Sequence, residues 1–406
     1  MSRVWPLVFC VGCRSLLGID EAVPLVTDAT LHDGSGTDVV DSGRDPDAPP
    51  AGDDVAHVLP EDEYLGTGDL QVTTDLSIDT TNLTATPGLP PGVTLTAAPQ
   101  DGGGPELAIL RVGTLEVASG VRVRAIGGRP LVVLALALQI DGILDAAAIH
   151  EVPGAGGSLA GPGAGGPGLR VREADGGGGG GSFGVRGARG GNAPCTIECT
   201  PDQTAMGGVA GLLYDSGLGR LQGGSGGGAA MAPAQPTVCP AGLAGAGGGA
   251  LQLYARSAIA IGATGVISAG GGGGRGGFRC EPNWLAGNGG GSGGAIFLQA
   301  PTITNGGMIA ANGGAGGSGA GTGGNGIDGE DARPSTGIAA GGPAVGGRSA
   351  RGGNGGANSG DSQNGNDSSD SGNGGGGGGA VGQLVVFYRT LFSQGTTSPP
   401  PLVSTY

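Results

Sequence analysis

Short aliphatic stretches recur along this chain, and the sequence between them is almost empty of large side chains. Period-two alternation at 70–78 (LQVTTDLSI), 93–96 (VTLT), 107–112 (LAILRV) and 121–126 (VRVRAI) predicts strands. Further on a longer phrase repeats in a fixed order. An apolar run is followed by a small or polar break, then Gly, an aliphatic pair, and Ala leading into glycine-rich sequence. Copies occupy 131–146, 250–269 and 295–311, and a shorter apolar run at 380–389 closes the series.

Strands this short, rich in Val and Ile and recurring in one order, bury an apolar face only by stacking on one another. The pattern therefore predicts an all-β fold, a parallel β-solenoid. Inward Val, Ile, Leu and Ala would form ladders, and the Gly of each break would turn the chain between faces. The glycine-rich excursions at 154–250, 270–294 and 313–379 read as long loops, either mobile or packed as polyproline-II-like sheets.

Glycine is unevenly placed. Of 98 Gly, 18 precede residue 151, 78 lie in 151–380 and two follow. A one-third share matches collagen, but the strict every-third register that collagen requires is broken by runs such as 176–181. All 19 basic residues are Arg, and against 34 acidic residues they leave a net charge of −15. A nucleic-acid partner is excluded on that balance, because Arg122, Arg124 and Arg129 sit within predicted strand and make no phosphate-binding patch. The absence of Lys excludes a standard phosphate-loop nucleotide hydrolase and Schiff-base chemistry. Arg-only usage with abundant Gly and Ala points to a GC-rich bacterial genome.

The N-terminus has Arg3, an apolar stretch, and Gly12 directly before Cys13. It resembles a bacterial lipoprotein signal, which implies removal of 1–12 and a lipid on Cys13; Cys10 follows bulky Phe9 and fits less well. The apolar stretch is short for such a signal, which points to a start upstream of Met1. No later segment approaches the apolar length of a membrane span. Between Asp20 and Asp79 there are 16 acidic residues and one base, Arg44. Mutual repulsion and a lack of apolar residues predict a disordered acidic tether over 13–57. These carboxylates lack the alternation and bidentate Glu of a calcium loop.

With the lipobox in front, the repeated phrase and its glycine interludes over about 105–390 resemble the glycine-rich predicted lipoproteins of myxobacteria and related bacteria. The likeness to mycobacterial PE-PGRS repeats is one of composition. The resemblance implies a right-handed parallel β-helix on a lipid anchor, in a family few of whose members have an assigned activity. The expected organisation is a signal at 1–12, lipidated Cys and tether at 13–57, strand or solenoid rungs at 58–150, a glycine-rich solenoid with long loops at 151–392, and a disordered tail at 393–406.

Setting aside Cys10 and Cys13, the remaining cysteines are Cys195, Cys199, Cys239 and Cys280, an even number in an oxidising compartment. They read as two disulfides with three open connectivities. Zinc is disfavoured because Cys195 and Cys199 form the one close pair and no His follows His150. Ser225 and Ser292 each match G-x-S-x-G, but at this glycine content such matches arise by chance and no catalytic His follows. His32, His57 and His150 read as satisfied surface groups. The segment 323–331 resembles one calcium-binding nonapeptide, which makes Asp328 and Asp331 candidate ligands, with Asp361, Asp367 and Asp370 nearby. Glu330 stands where that repeat needs an aliphatic anchor, so a solvated polar loop is the plainer reading.

The sequence thus predicts a lipid-anchored cell-envelope protein without cofactor, on the outer membrane facing periplasm or cell surface. Its role would be structural, adhesive or in matrix contact, with the membrane lipid, extracellular polysaccharide or other surface proteins as partners. The alternative is a β-helix polysaccharide lyase or glycoside hydrolase. It would place Asp141 and Asp145 near Arg172 or Arg256 on one face.

Overall fold

The structure is a computed structural model describing residues 54–196, 203–214, 219–231, 242–280, 283–369 and 371–405. All belong to the second of two units, Asp45–Tyr406, the first being Met1–Arg44. Among the described residues there is no α-helix, and a single 3-10 turn at Pro60–Asp62.

The repeated phrase forms parallel strands in register. Its long apolar run gives Leu131–Ile140, Ala250–Ile261, Ala295–Asn305 and Gln383–Ser393, which lie side by side in that order. Register pairs Leu131 with Leu251, Leu251 with Ile296, and Ile296 with Leu384. The extra length of the second copy is absorbed by a bulge between Tyr254 and Ala258, which leaves Arg256 and Ser257 exposed. Leu402–Thr405 closes one edge, while Thr114–Val117 and then Leu70–Val72 extend the other. Leu107–Arg111 also pairs with Leu131–Ile140 and carries antiparallel Thr94–Ala98, making nine strands. The Gly, aliphatic pair and Ala of each phrase give the short strands Ile143–Asp145, Val266–Ser268 and Met308–Ala310 of a second, seven-stranded sheet.

Alternation assigns the two faces. Leu131, Val133, Leu251, Leu253, Ile296 and Leu298 pack with Leu144, Ile267 and Ile309 of the second sheet in one core cluster. Val132, Leu134, Tyr254, Phe297 and Phe387 face the other way, against Val55, Val58, Phe183 and Leu221. The long strands are covered on both faces, which is why they read as unbroken apolar runs.

The expected right-handed parallel β-helix is not what forms. The parallel strands divide between two sheets edged by antiparallel pairs at Thr84–Thr86 and Thr94–Ala98. Successive phrases are joined by the excursions 147–249, 270–294 and 311–382 instead of by short turns round one coil. Those excursions pack on one another and, through Phe183 and Leu221, against the long strands, so the chain is not a stack of closed rungs carrying loops.

Consecutive amides in 176–182 show how that body is held. Gly176, Gly179 and Ser182 donate to Leu169, Gly166 and Gly163 (2.8, 2.9 and 2.8 Å). Gly177 and Gly180 donate to Gly191 and Ala188 (2.9 and 2.7 Å), and Gly178 and Gly181 to Gly287 and Gly290 (both 2.9 Å). Carbonyls reach further segments: Gly177 accepts from Gly208, Gly178 from Gly377, and Gly179 from Gly228. Partners repeat every third residue, the period of a polyproline-II helix, so one strand has six neighbours and the segments form a polyglycine lattice. Side chains are excluded by close approach: a Cβ on Gly178 would overlap the Gly228 carbonyl, and one on Gly289 that of Gly179. The lattice satisfies its buried amides without a sheet ladder.

The ends also differ from expectation. Val55 and His57 are buried, so the residues before 58 already join the core. Thr396–Ser398 and Leu402–Thr405 are strands at the edges of the two sheets, where a disordered tail was expected over 393–406.

Candidate functional site

Cys13, Cys10 and His32 lie outside the described residues, as do Cys199, Cys239 and Asp370. Cys195 and Cys280 are each disulfide-bonded, and which cysteine each pairs with stays open. Cys195 is buried beside Ala174, Ala193 and Ala205 at one margin of the lattice.

Asp328 and Asp331 serve the lattice directly. Asp328 accepts from the Gly276 amide (2.8 Å) and from Arg275 Nη1 (2.8 Å); Asp331 accepts from the amides of His150 and Gly273 (2.7 and 2.8 Å). Arg275 also donates to Glu151 (2.8 Å), and that bond holds the Glu151 carboxyl below its usual range. Carboxylates that already accept two donors each are poorly arranged to wrap a cation. Among the described residues no group of three His, Cys, Asp or Glu side chains is placed to hold a metal ion. Asp367 likewise caps the Asn192 amide (2.6 Å), and Asp361 is exposed.

The groups of the enzyme alternative do not share a site. Asp145 pairs with Arg124 (2.7 Å) and caps the Ala147 amide, whereas Asp141 accepts from Gln139 (2.8 Å). Arg172 and Arg256 are exposed, and neither makes an ion pair with these carboxylates. Ser225 and Ser292 are buried lattice residues: Ser225 Oγ donates to Tyr214 Oη (2.8 Å), and Ser292 Oγ accepts from the Ser225 amide (2.9 Å). A groove of about 400 Å³ runs beside Leu70–Val72, walled by Pro87 and Pro90. Its one titratable group, Asp69, is held by the Thr114 amide and hydroxyl (2.9 and 2.8 Å).

His57 is not the surface group expected. It is buried, its Nδ1 lies 2.7 Å from Gln252 Oε1, and its ring meets Phe297 edge-on at 5.1 Å. Gln299 accepts from the Ala56 amide (3.0 Å) and donates to the Asp54 carbonyl (2.6 Å). Buried Gln252 and Gln299 thus fasten 54–57 to the sheet. Polar residues inside the apolar phrases were the sequence signal for this contact. Arg111, fully buried, pairs with Asp62 (2.8 Å) and lies over the Tyr64 ring at 4.2 Å, which fixes the adjoining turn.

Two further groupings combine distant residues. Arg170 pairs through both nitrogens with buried Asp175 (2.7 Å each), whose pKa is pushed up to about 6 by burial against the opposing pull of Arg170. Trp284 has Arg279 at 4.9 Å and Arg348 at 5.7 Å from its ring, a cationic aromatic spot on a strongly acidic chain. Nothing in the sequence placed positions 279, 284 and 348 together.

No family model, curated protein or solved structure matches the chain. No helix among the described residues is long and apolar enough to cross a membrane.

Proposed function

We propose that the chain is a non-catalytic surface-contact protein of the bacterial envelope, related to the glycine-rich predicted lipoproteins it resembles and held to the outer membrane by a lipid on Cys13. The observation that carries this reading is how the polar groups are employed. Asp145, Asp328, Asp331, Ser225 and Ser292 bond inward, to backbone amides, to Arg124 or Arg275, to Tyr214, or to each other. The glycine lattice that they brace presents a fixed surface, and the groove beside Leu70–Val72 holds a single titratable group, Asp69.

Contact with an acidic extracellular polysaccharide is assigned to Arg348, Arg279 and Trp284, where guanidinium groups and an indole adjoin one another. Charge-assisted hydrogen bonds to carboxylates and stacking on an aromatic face are the interactions a uronate polymer offers. Two experiments test the proposal. Cys13→Ala should release the protein from the membrane fraction, and retention there refutes the anchor. Binding to a uronate polymer should weaken in Arg348→Glu without any release of sugar. Unchanged binding refutes the contact site, and turnover refutes the non-catalytic reading.

A further inference from the structure

Seven of the twelve asparagines are followed directly by Gly: Asn288, Asn305, Asn312, Asn325, Asn354, Asn364 and Asn373. Six lie in the glycine-rich excursions, and Asn305 ends a long strand. In an open chain Asn-Gly is a labile sequence, because a Gly without Cβ lets its amide nitrogen reach the preceding side-chain carbon. Here both reacting groups are held. Gly289 donates to the Gly228 carbonyl (2.9 Å), while Asn288 accepts from the Ala230 amide and donates to the Arg275 carbonyl (2.9 and 2.8 Å). Gly365 donates to the Arg189 carbonyl (2.9 Å), and Asn364 accepts from the Arg189 amide (2.9 Å). Gly355 donates to Ala339 (3.0 Å), with Asn354 accepting from Gly341 (2.8 Å). The amides of Gly306, Gly313, Gly326 and Gly374 are bonded as well (2.8, 2.9, 2.7 and 2.8 Å), and the Asn side chain before each makes a hydrogen bond of its own.

From these bonds we infer that the seven pairs are latent modification sites, closed while the lattice is intact and converted to aspartate and isoaspartate wherever it opens. In the reaction the Gly nitrogen gives up its proton and attacks Asn Cγ. A C–N bond forms to close a succinimide ring as the carboxamide C–N bond breaks and ammonia leaves. Water then opens the ring at either carbonyl, giving aspartate or isoaspartate, with nothing oxidised or reduced. The step needs the nitrogen deprotonated and close to Cγ. An amide proton shared with a carbonyl is harder to remove, and an Asn bonded to a neighbouring strand must break that bond to turn back on its own backbone. Each conversion adds a negative charge to a chain already at −15. Isoaspartate also lengthens the backbone by one carbon, which breaks the three-residue repeat on which the lattice depends. Conversion therefore marks opened chains irreversibly.

Peptide mapping by mass spectrometry, with isoaspartyl methyltransferase labelling to count isoaspartate, tests this on the full chain in warm, mildly alkaline buffer. One sample is native and the other is in denaturant with its disulfides kept. In denaturant all seven pairs should convert at the rate of a short Asn-Gly peptide. In the native protein they should convert at least about a hundredfold more slowly, at a rate set by opening of the lattice. Gly178→Ala gives a local version of the same test, since its Cβ would displace the Gly228 carbonyl that holds the Gly289 amide. In the folded variant Asn288 should convert at least about tenfold faster than in the wild type, while Asn305 keeps its native rate. Native wild type that converts at the denatured rate overturns the inference, and so does a folded Gly178→Ala protein in which Asn288 converts no faster.

Discussion

Replacing Gly178 by Ala separates an ordered lattice from a flexible glycine loop, because the two accounts predict effects of opposite sign. A Cβ at Gly178 meets the Gly228 carbonyl, backbone that cannot swing aside. To make room the 228 segment must retreat, which stretches the bonds Gly228 to Gly179 (2.7 Å) and Gly289 to Gly228 (2.9 Å). Leaving two buried amide bonds unmade at about 1.5 kcal/mol each, with overpacking of about 1 kcal/mol, gives a loss of roughly 4 kcal/mol. In a flexible loop the same change stabilises by about 0.4–1 kcal/mol, through the lower entropy of the unfolded chain. Gly88 is the control, with no atom within 4 Å of an added Cβ, so Gly88→Ala should be neutral or slightly stabilising. Denaturant unfolding of both variants against the wild type provides the comparison. A Gly178→Ala protein as stable as Gly88→Ala refutes the lattice packing.

Other predictions follow from the polar groups. Asp175 has a folded pKa raised from 3.8 to about 6, so the native state binds the extra proton between those values. Its contribution to stability should therefore fall as pH rises from about 4 to about 6, a slope absent from melts of Asp175→Asn. Glu151 has the opposite sign. Its lowered pKa means that its bond with Arg275 supports the fold above pH 4.5 and is lost as pH falls through the folded value, a loss that Arg275→Gln should abolish in the same melts. Gln252→Ala removes the partner of buried His57 and should cost about 1–3 kcal/mol, with faster proteolysis near residue 54 as the readout. Alkylation of the denatured, unreduced protein should leave Cys195 and Cys280 unlabelled, and labelling of either contradicts its disulfide.

The strands were legible because their physics is local. Each of the first three phrases carries its own apolar run and its own Gly followed by an aliphatic pair, and their long strands, with that of the shorter fourth run, lie side by side in chain order. Rung closure was not legible, since it depends on where the chain goes after Ala146, Ala269 and Ala311. That path is set by glycine amides bonding to partners scattered along the chain, as when Gly178 reaches Gly287 and Gly377. A run of Gly carries no side-chain pattern to reveal such a register, and the collagen period is a different lattice. The same holds for the candidate sites. Asp328 and Asp331 were visible as a carboxylate pair, but their duty as caps on the Gly276 and Gly273 amides exists only once the strands are side by side. His57 looked exposed because it follows an acidic segment, and only the glutamines of distant strands reveal that it is buried.

Amide hydrogen exchange read by mass spectrometry over peptides covering 176–182, 287–291 and 374–380 tests the lattice most directly. Bonded as described, these glycine amides should exchange orders of magnitude more slowly than an unstructured chain and at rates close to those of the Leu131–Ile140 strand. Exchange at the unstructured rate across those peptides, with the strand still protected, would contradict the account.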